Sequence, residues 1–163
     1  MKPEQGRLAQ QGVAIVAAQL RGDHVERDQL IEVFVGELGF PKLAEAFSYA
    51  AVVAVELAAN GQGISFQAAL DAVDARRGVR LVPGATVPWT KAVQLVSAAK
   101  TDDRSAQSIG YTMDVHSAVN ATFQLAVSAF LALEDTSGLG GPSGEEWAST
   151  VATGHAPAGT AAE

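Results

Sequence analysis

An all-α fold, a compact multi-helix bundle with at most one short β-ribbon near residues 79–87, is what this sequence predicts. Three observations predict it. Apolar residues recur at three- and four-residue spacing along most of the 163-residue chain, and glycines fall where each periodic run stops. Nearly half the residues are hydrophobic, and many of these are alanine, the strongest helix former. Alanine fills little volume, so the core should be thin and its helices close together.

Leu8, Gly12, Ile15, Val16 and Leu20 share a helical face, which sets a first helix over about Leu8 to Arg21, stopped by Gly22. Asp23 followed by Glu26 has the form of a capping box and opens a second helix through Leu30, Ile31, Phe34, Val35 and Leu38. Gly39, Phe40 and Pro41 make a helical corner: a positive-φ stop, an apolar contact and a helix-starting proline. The third helix, from about Pro41 to Ala59, is apolar on nearly every side, as befits an element surrounded by others. Its Ala50, Ala54 and Ala58 form a smooth stripe where another helix can come close, and they are the candidate interface residues. Asn60 to Gly63 ends it. Ser65 is placed to cap a fourth helix through Phe66, Leu70 and Val73 to Arg77, with Gly78 as its stop.

Residues 78–88 break the pattern, and Val79 to Val87 around Pro83-Gly84 read as a ribbon or a long connection, with prolines 83 and 88 weakening the strand. Helix resumes with Val93, Leu95, Val96 and Ala99, followed by a short piece from Asp103 to about Ile109. Asp114 is placed to cap the last long helix, which buries Val119, Phe123, Val127, Phe130 and Leu131 and ends near Asp135. The domain is thus expected over 7–136, after a flexible N-terminus at 1–6, and divisible into halves 7–78 and 88–136 joined by 79–87. Residues 137–163 read as a Gly/Ser/Ala-rich tail, containing a short helix at 144–152 that Ser143 and Glu146 would cap ahead of Trp147. Protease trimming of this tail is expected to change stability little unless Trp147 docks.

The two halves repeat the same order of parts. Val13, Ile15, Val16, Ala18 and Asp23 recur at one constant offset as Val93, Leu95, Val96, Ala98 and Asp103, while Phe47, Ala50 and Leu57 recur at a slightly shorter one as Phe123, Ala126 and Leu133. Gly39-Phe40 has an echo in Gly110-Tyr111. A duplicated three-helix unit has this shape. The changing offsets, and the ease with which Ala/Val-rich helices match one another, count against it.

Composition removes several function classes. With no cysteine there is no disulfide, thiolate catalysis or Cys-containing metal site. A net charge of −7, spread as 10 acids and 7 bases over 1–78 and 8 acids and 4 bases over 79–163, suits no phosphate backbone, so no nucleic-acid partner is expected. Arg76, Arg77 and Arg80 either complement the C-terminal end of a helix dipole, the favoured reading, or bind an anion. Leu43–Ala59 and Ala118–Leu133 are apolar but short of an uninterrupted span of about 20 residues, and they read as core helices in a cytoplasmic protein with no membrane partner. High alanine and an excess of arginine over lysine suit a GC-rich bacterial genome.

No phosphate, nucleophile or metalloprotease signature is present, so no catalytic residue, cofactor or metal is assigned. His24 lies between Asp23 and Glu26, whose acids already have capping roles. Asp114 and His116 are two residues apart and would point to different faces within a helix. The pairs Asp102-Asp103 and Glu145-Glu146 suit helix starts, while Glu134-Asp135 sits at the unfavourable end. Glu45 and Glu56 share a face of the least polar helix, which is either its solvent side or the lining of a pocket or interface. Two functions follow as expectations. The leading one is a non-enzymatic helical interaction or structural module that associates with itself or with another protein. The alternative is a small-molecule binding or sensing protein whose pocket is lined by Phe47, Tyr49, Phe123 and Phe130, with Glu56 or Gln124 for polarity.

Overall fold

The computed structural model describes residues 2–78, 86–101, 114–136 and 142–153, and these contain seven helices and no strand. They are α1 (Pro3–Leu20), α2 (His24–Leu38), α3 (Lys42–Gln62), α4 (Phe66–Gly78), α5 (Thr86–Thr101), α6 (Val115–Thr136) and α7 (Gly144–Thr153).

Four helix starts are set by the side chains that the sequence singles out. Asp23 accepts from the Glu26 N–H at 3.0 Å, Ser65 from Ala68 at 3.1 Å, Asp114 from Ser117 at 3.1 Å and Ser143 from Glu146 at 3.1 Å. Each satisfies one of the otherwise orphaned donors of a first turn. Gly39 ends α2 at φ +91°, ψ 153°, backbone that only glycine adopts without strain, and Gly63 ends α3 in the left-handed region at φ +67°.

Several limits differ from expectation. The flexible N-terminus expected at 1–6 is already helix from Pro3, because proline suits a first helical position and the Gln5 side chain accepts from the Lys2 N–H at 3.0 Å. Pro41 stands as the cap before α3 and not inside it, and α3 runs on through Asn60 and Gly61 to Gln62, because its left-handed stop is at Gly63. The C-terminal end of the expected ribbon is helical: Thr86 and Val87 open α5, with Pro88 in the first turn where a missing N–H leaves no bond unmade. Residues 79–85, the short helix at 103–109 and the Gly110-Tyr111 corner lie outside the described residues.

The core is built around α3, which packs against α1, α2, α4, α5 and α6. Leu43, Phe47, Ala50, Val52, Ala54 and Val55 are buried on its successive faces, joined by Val13 and Val16 of α1, Leu70 of α4, Val96 of α5, and Leu125, Phe130 and Leu133 of α6. Small residues set the spacing. A Cβ placed on Gly12 of α1 would lie 2.5 Å from the Ala46 carbonyl oxygen, so the backbones of α1 and α3 touch there. Ala54 is wholly buried in the same stripe. Ala54→Leu is therefore expected to destabilise by about 1 to 3 kcal/mol, the usual cost of overpacking, read as a lower urea midpoint.

Two ring contacts fix the relation of the long helices. The Phe40 and His116 centroids are 4.9 Å apart and those of Phe47 and Phe123 are 5.0 Å apart, and the two pairs have the same separation along the chain. A constant offset means that α3 and α6 run parallel. This register is also the offset at which Phe47, Ala50 and Leu57 recur in the sequence. By contrast α4 and α5 are antiparallel, held by Trp89 Nε1 donating to Asp74 at 2.7 Å and Ser97 Oγ donating to Gln67 at 3.3 Å.

The region expected to be a dispensable tail contains α7, which docks on α1 and α6. Ala148 is fully buried, and Trp147 and Val151 pack against the core. Gly144 sits so close to α6 that a Cβ there would be 2.9 Å from the Phe130 carbonyl oxygen, and its N–H donates to Glu134 at 3.2 Å. Sequence periodicity places a helix at this position but carries no information on what the helix rests against. Residues 137–141 and 154–163 lie outside the described residues.

Candidate interaction surface

The candidate interface residues Ala50, Ala54 and Ala58 lie inside the chain, covered by its own helices, and offer nothing to a partner. At its Ala50 end the stripe is filled from α1, where a Cβ on Gly12 would lie 3.3 Å from the Ala50 Cβ. The aromatic candidates are core as well. Phe47 and Phe130 are enclosed, Tyr49 is buried, and the half-buried Phe123 leans on Phe47. Glu56 does not join them: its carboxylate takes the Lys100 ammonium of α5, which also lies 5.6 Å from the centre of the Phe66 ring. Glu45 pairs with Lys42 at 2.6 Å, and this bond holds the lysine pKa above its ordinary value. The two glutamates of α3 are thus each ion-paired with a lysine.

Other titratable candidates are also partnered locally. Asp23 caps α2, Glu26 meets Arg21 at 2.5 Å, and His24 Nδ1 is 3.0 Å from the Arg27 guanidinium. Among the described residues no group of three or more histidine or acidic side chains converges. Asp114 is held below the usual carboxylate range by the Ser117 N–H and hydroxyl, which donate to it at 3.1 and 3.0 Å.

What remains distinctive is the outward side of α6. From Val115 to Leu133 the sequence holds no Asp, Glu, Lys or Arg, and its one titratable side chain is His116. An internal helix would explain that, but α6 is only partly enclosed. α3 and α6 are both long and apolar enough to cross a membrane by length and composition; in α3 61% of that stretch is buried inside the protein, in α6 only 39%. The open side of α6 carries two ridges at four-residue spacing. One is apolar: Val119, Phe123 and Val127 are half-buried against the core, and Leu131 is 45% exposed. The other is polar and uncharged: Asn120, Gln124 and Ser128. Ser128 Oγ donates to the Gln124 carbonyl at 2.8 Å, whereas the Asn120 and Gln124 side-chain amides make no hydrogen bond to any described residue. At the start of α6 Val115 is 41% exposed, and Phe40 packs on His116.

Of the sequence-derived candidates, Gln124 belongs to this surface, while Phe123 stands at its margin with its ring packed on Phe47. Its signal in the sequence is the uncharged run itself, which periodicity alone reads as burial on all sides. Comparison with family models, curated proteins and solved structures finds no match for this chain.

Proposed function

We propose that the protein is a non-enzymatic helical interaction module that associates with itself or with a protein partner through the outward side of α6. The observation that carries this reading is a long, partly open helix without Asp, Glu, Lys or Arg from Val115 to Leu133. Free surfaces of soluble domains intersperse both signs of charge, whereas the centres of interfaces are depleted of them. The exposed Leu131 and Val115, with the uncharged Asn120 and Gln124 beside them, have the composition of a surface that a partner desolvates.

Light scattering on a sizing column over a concentration series tests it. The chain is expected to show a concentration-dependent mass above the monomer, or to co-elute with a partner. Leu131→Lys, which places an unpaired charge in the contact, is expected to weaken association by about tenfold or more while leaving the melting temperature of the fold nearly unchanged. A chain that remains monomeric at millimolar concentration and binds no protein would overturn the reading.

A further inference from the structure

We infer that residues 3–78 and 86–153 are two copies of one helical unit, packed about a two-fold axis that runs between α3 and α6. The contact of these parallel helices is then an interface of the unit with its own copy, joined into a single chain. The inference stands apart from the reading of α6 as an interaction surface.

The pattern of helix contacts carries it. In chain order α1 corresponds to α5, α3 to α6 and α4 to α7, while the counterpart of α2 falls in 102–113, outside the described residues. Within each half, α1 packs on α3 as α5 packs on α6, and α4 packs on α3 as α7 packs on α6. Between the halves the neighbours are exchanged: α5 lies against α3 and α4, as α1 lies against α6 and α7. Two units related by translation would make such contacts in one direction only, whereas exchange in both directions is what a two-fold axis produces. Because α3 and α6 are parallel, that axis lies along their length. α4 also meets α6, a contact that α7 does not match to the same extent with α3 among the described residues.

Buried positions repeat along with the helices. Ala9, Gly12, Val16 and Ala18 of α1 are buried, and so are Trp89, Ala92, Val96 and Ala98 of α5, at the constant offset that also relates Val13 to Val93. Leu43, Ala46, Ala50 and Ala54 of α3 answer to the buried Ala118, Ala121, Leu125 and Ala129 of α6, one residue short of the offset at which Phe47 recurs as Phe123. In α4 and α7 the likeness reaches the cap. Ser65 and Ser143 each accept from the N–H three residues on, and Leu70 and Val73 stand where α7 has Ala148 and Val151. Each helix pair keeps one offset, so the shifts that count against a duplication in the sequence fall between helices, where insertions are tolerated. The repeated unit also contains α4 and α7, one helix more than the three-helix unit visible in the sequence.

The absence of cysteine allows spin labels to be placed in the full chain two at a time, with the distance between them read by double electron–electron resonance. Gln10, Glu45 and Gln67 of the first unit and their counterparts Thr90, Asn120 and Glu145 are all exposed, so each tolerates replacement by cysteine. A two-fold axis requires the Gln10→Cys, Asn120→Cys pair to give the same mean distance as Thr90→Cys, Glu45→Cys. It likewise requires Gln10→Cys, Glu145→Cys to match Thr90→Cys, Gln67→Cys. Both matches are the expected result. If Gln10 to Glu45 matches Thr90 to Asn120 while the distances between units do not match, the units repeat without the axis and the inference is overturned. Distances that match in no comparison overturn it as well.

A circular permutant tests the joining of the units. It keeps all 163 residues, joins Glu163 to Met1 and opens the chain between Gly84 and Ala85. Residues 154–163 and 1–2 then connect α7 to α1, and fully extended they reach about 40 Å, beyond the roughly 27 Å length of α1. The permutant replaces one connection between units by its counterpart and is expected to melt cooperatively within a few degrees of the parent. A permutant without a cooperative transition would show that the order of the halves cannot be exchanged and would overturn the inference.

Discussion

Truncating the chain after Asp135 is expected to lower its stability by about 3 to 5 kcal/mol, although the residues removed include the glycine-rich stretch that looks dispensable. Helix α7 brings Trp147, Ala148 and Val151 onto α1 and α6, and Gly144 lets its first turn press against the Phe130 carbonyl. Burying one large apolar side chain fully is worth roughly 1.5 to 3 kcal/mol. Two partly buried side chains, together with the α1 and α6 surfaces they leave exposed, reach the quoted range. The measurement is urea denaturation of the full chain against chains ending at Asp135 and at Thr153. The Thr153 chain retains α7 and is expected to match the full chain. Equal midpoints for all three would mean that α7 contributes no net stability where it rests.

Replacing Gly12 with valine is expected to cost about 3 kcal/mol or more, with loss of a cooperative transition as the extreme outcome. The added Cβ would fall 2.5 Å from the Ala46 carbonyl oxygen and 2.9 Å from its carbon, and those are backbone atoms of the central helix, which cannot rotate aside. Overpacking costs about 1 to 3 kcal/mol when side chains can adjust. Here α1 and α3 must separate, and two further methyl groups follow the Cβ. Gly12→Ala should also destabilise, even though alanine in a helix interior is favoured over glycine by about 1 kcal/mol. Gly6 and Gly36 supply the control. Nothing lies within 4 Å of a Cβ at either position, so Gly6→Ala and Gly36→Ala are expected to stabilise by several tenths of a kcal/mol. Thermal melts of the four variants check this, and a Gly12→Ala that melts higher than the parent would show that the helices separate at little cost.

The fold was largely legible because its helix starts are written in single residues. Asp23, Ser65, Asp114 and Ser143 each sit where a side-chain oxygen satisfies a first-turn donor, and each does so. Ala50, Ala54 and Ala58 are buried inside the chain, and at Ala50 the α1 backbone comes close. A stripe of small residues signals how near another helix comes and says nothing about whose helix it is. The relation of α3 to α6 was hidden for a similar reason. Apolar residues on every face announce burial, and only the Phe47–Phe123 and Phe40–His116 contacts reveal that the helices run the same way. The open side of α6 was hidden by the converse effect: an uncharged run looks the same to periodicity whether protein or solvent lies against it. Glu56 illustrates the limit for candidate sites, since its partner Lys100 is 44 residues away and no local spacing connects them.

Because α3 and α6 pack in parallel, the route by which the chain reaches its native state is constrained. Antiparallel neighbours can close as hairpins soon after each is made, but two parallel helices need an intervening stretch of chain to travel the full length of the bundle and return. The Phe47–Phe123 contact closes a loop of nearly half the chain, and its entropy must be lost before the central pair gains any burial. This raises the mean sequence separation of native contacts above that of an up-and-down bundle, and folding rates fall as that separation grows. A simple all-helical composition thus conceals a chain whose folding depends on long-range encounters, with α1 to α3 able to associate early and α6 and α7 joining them later.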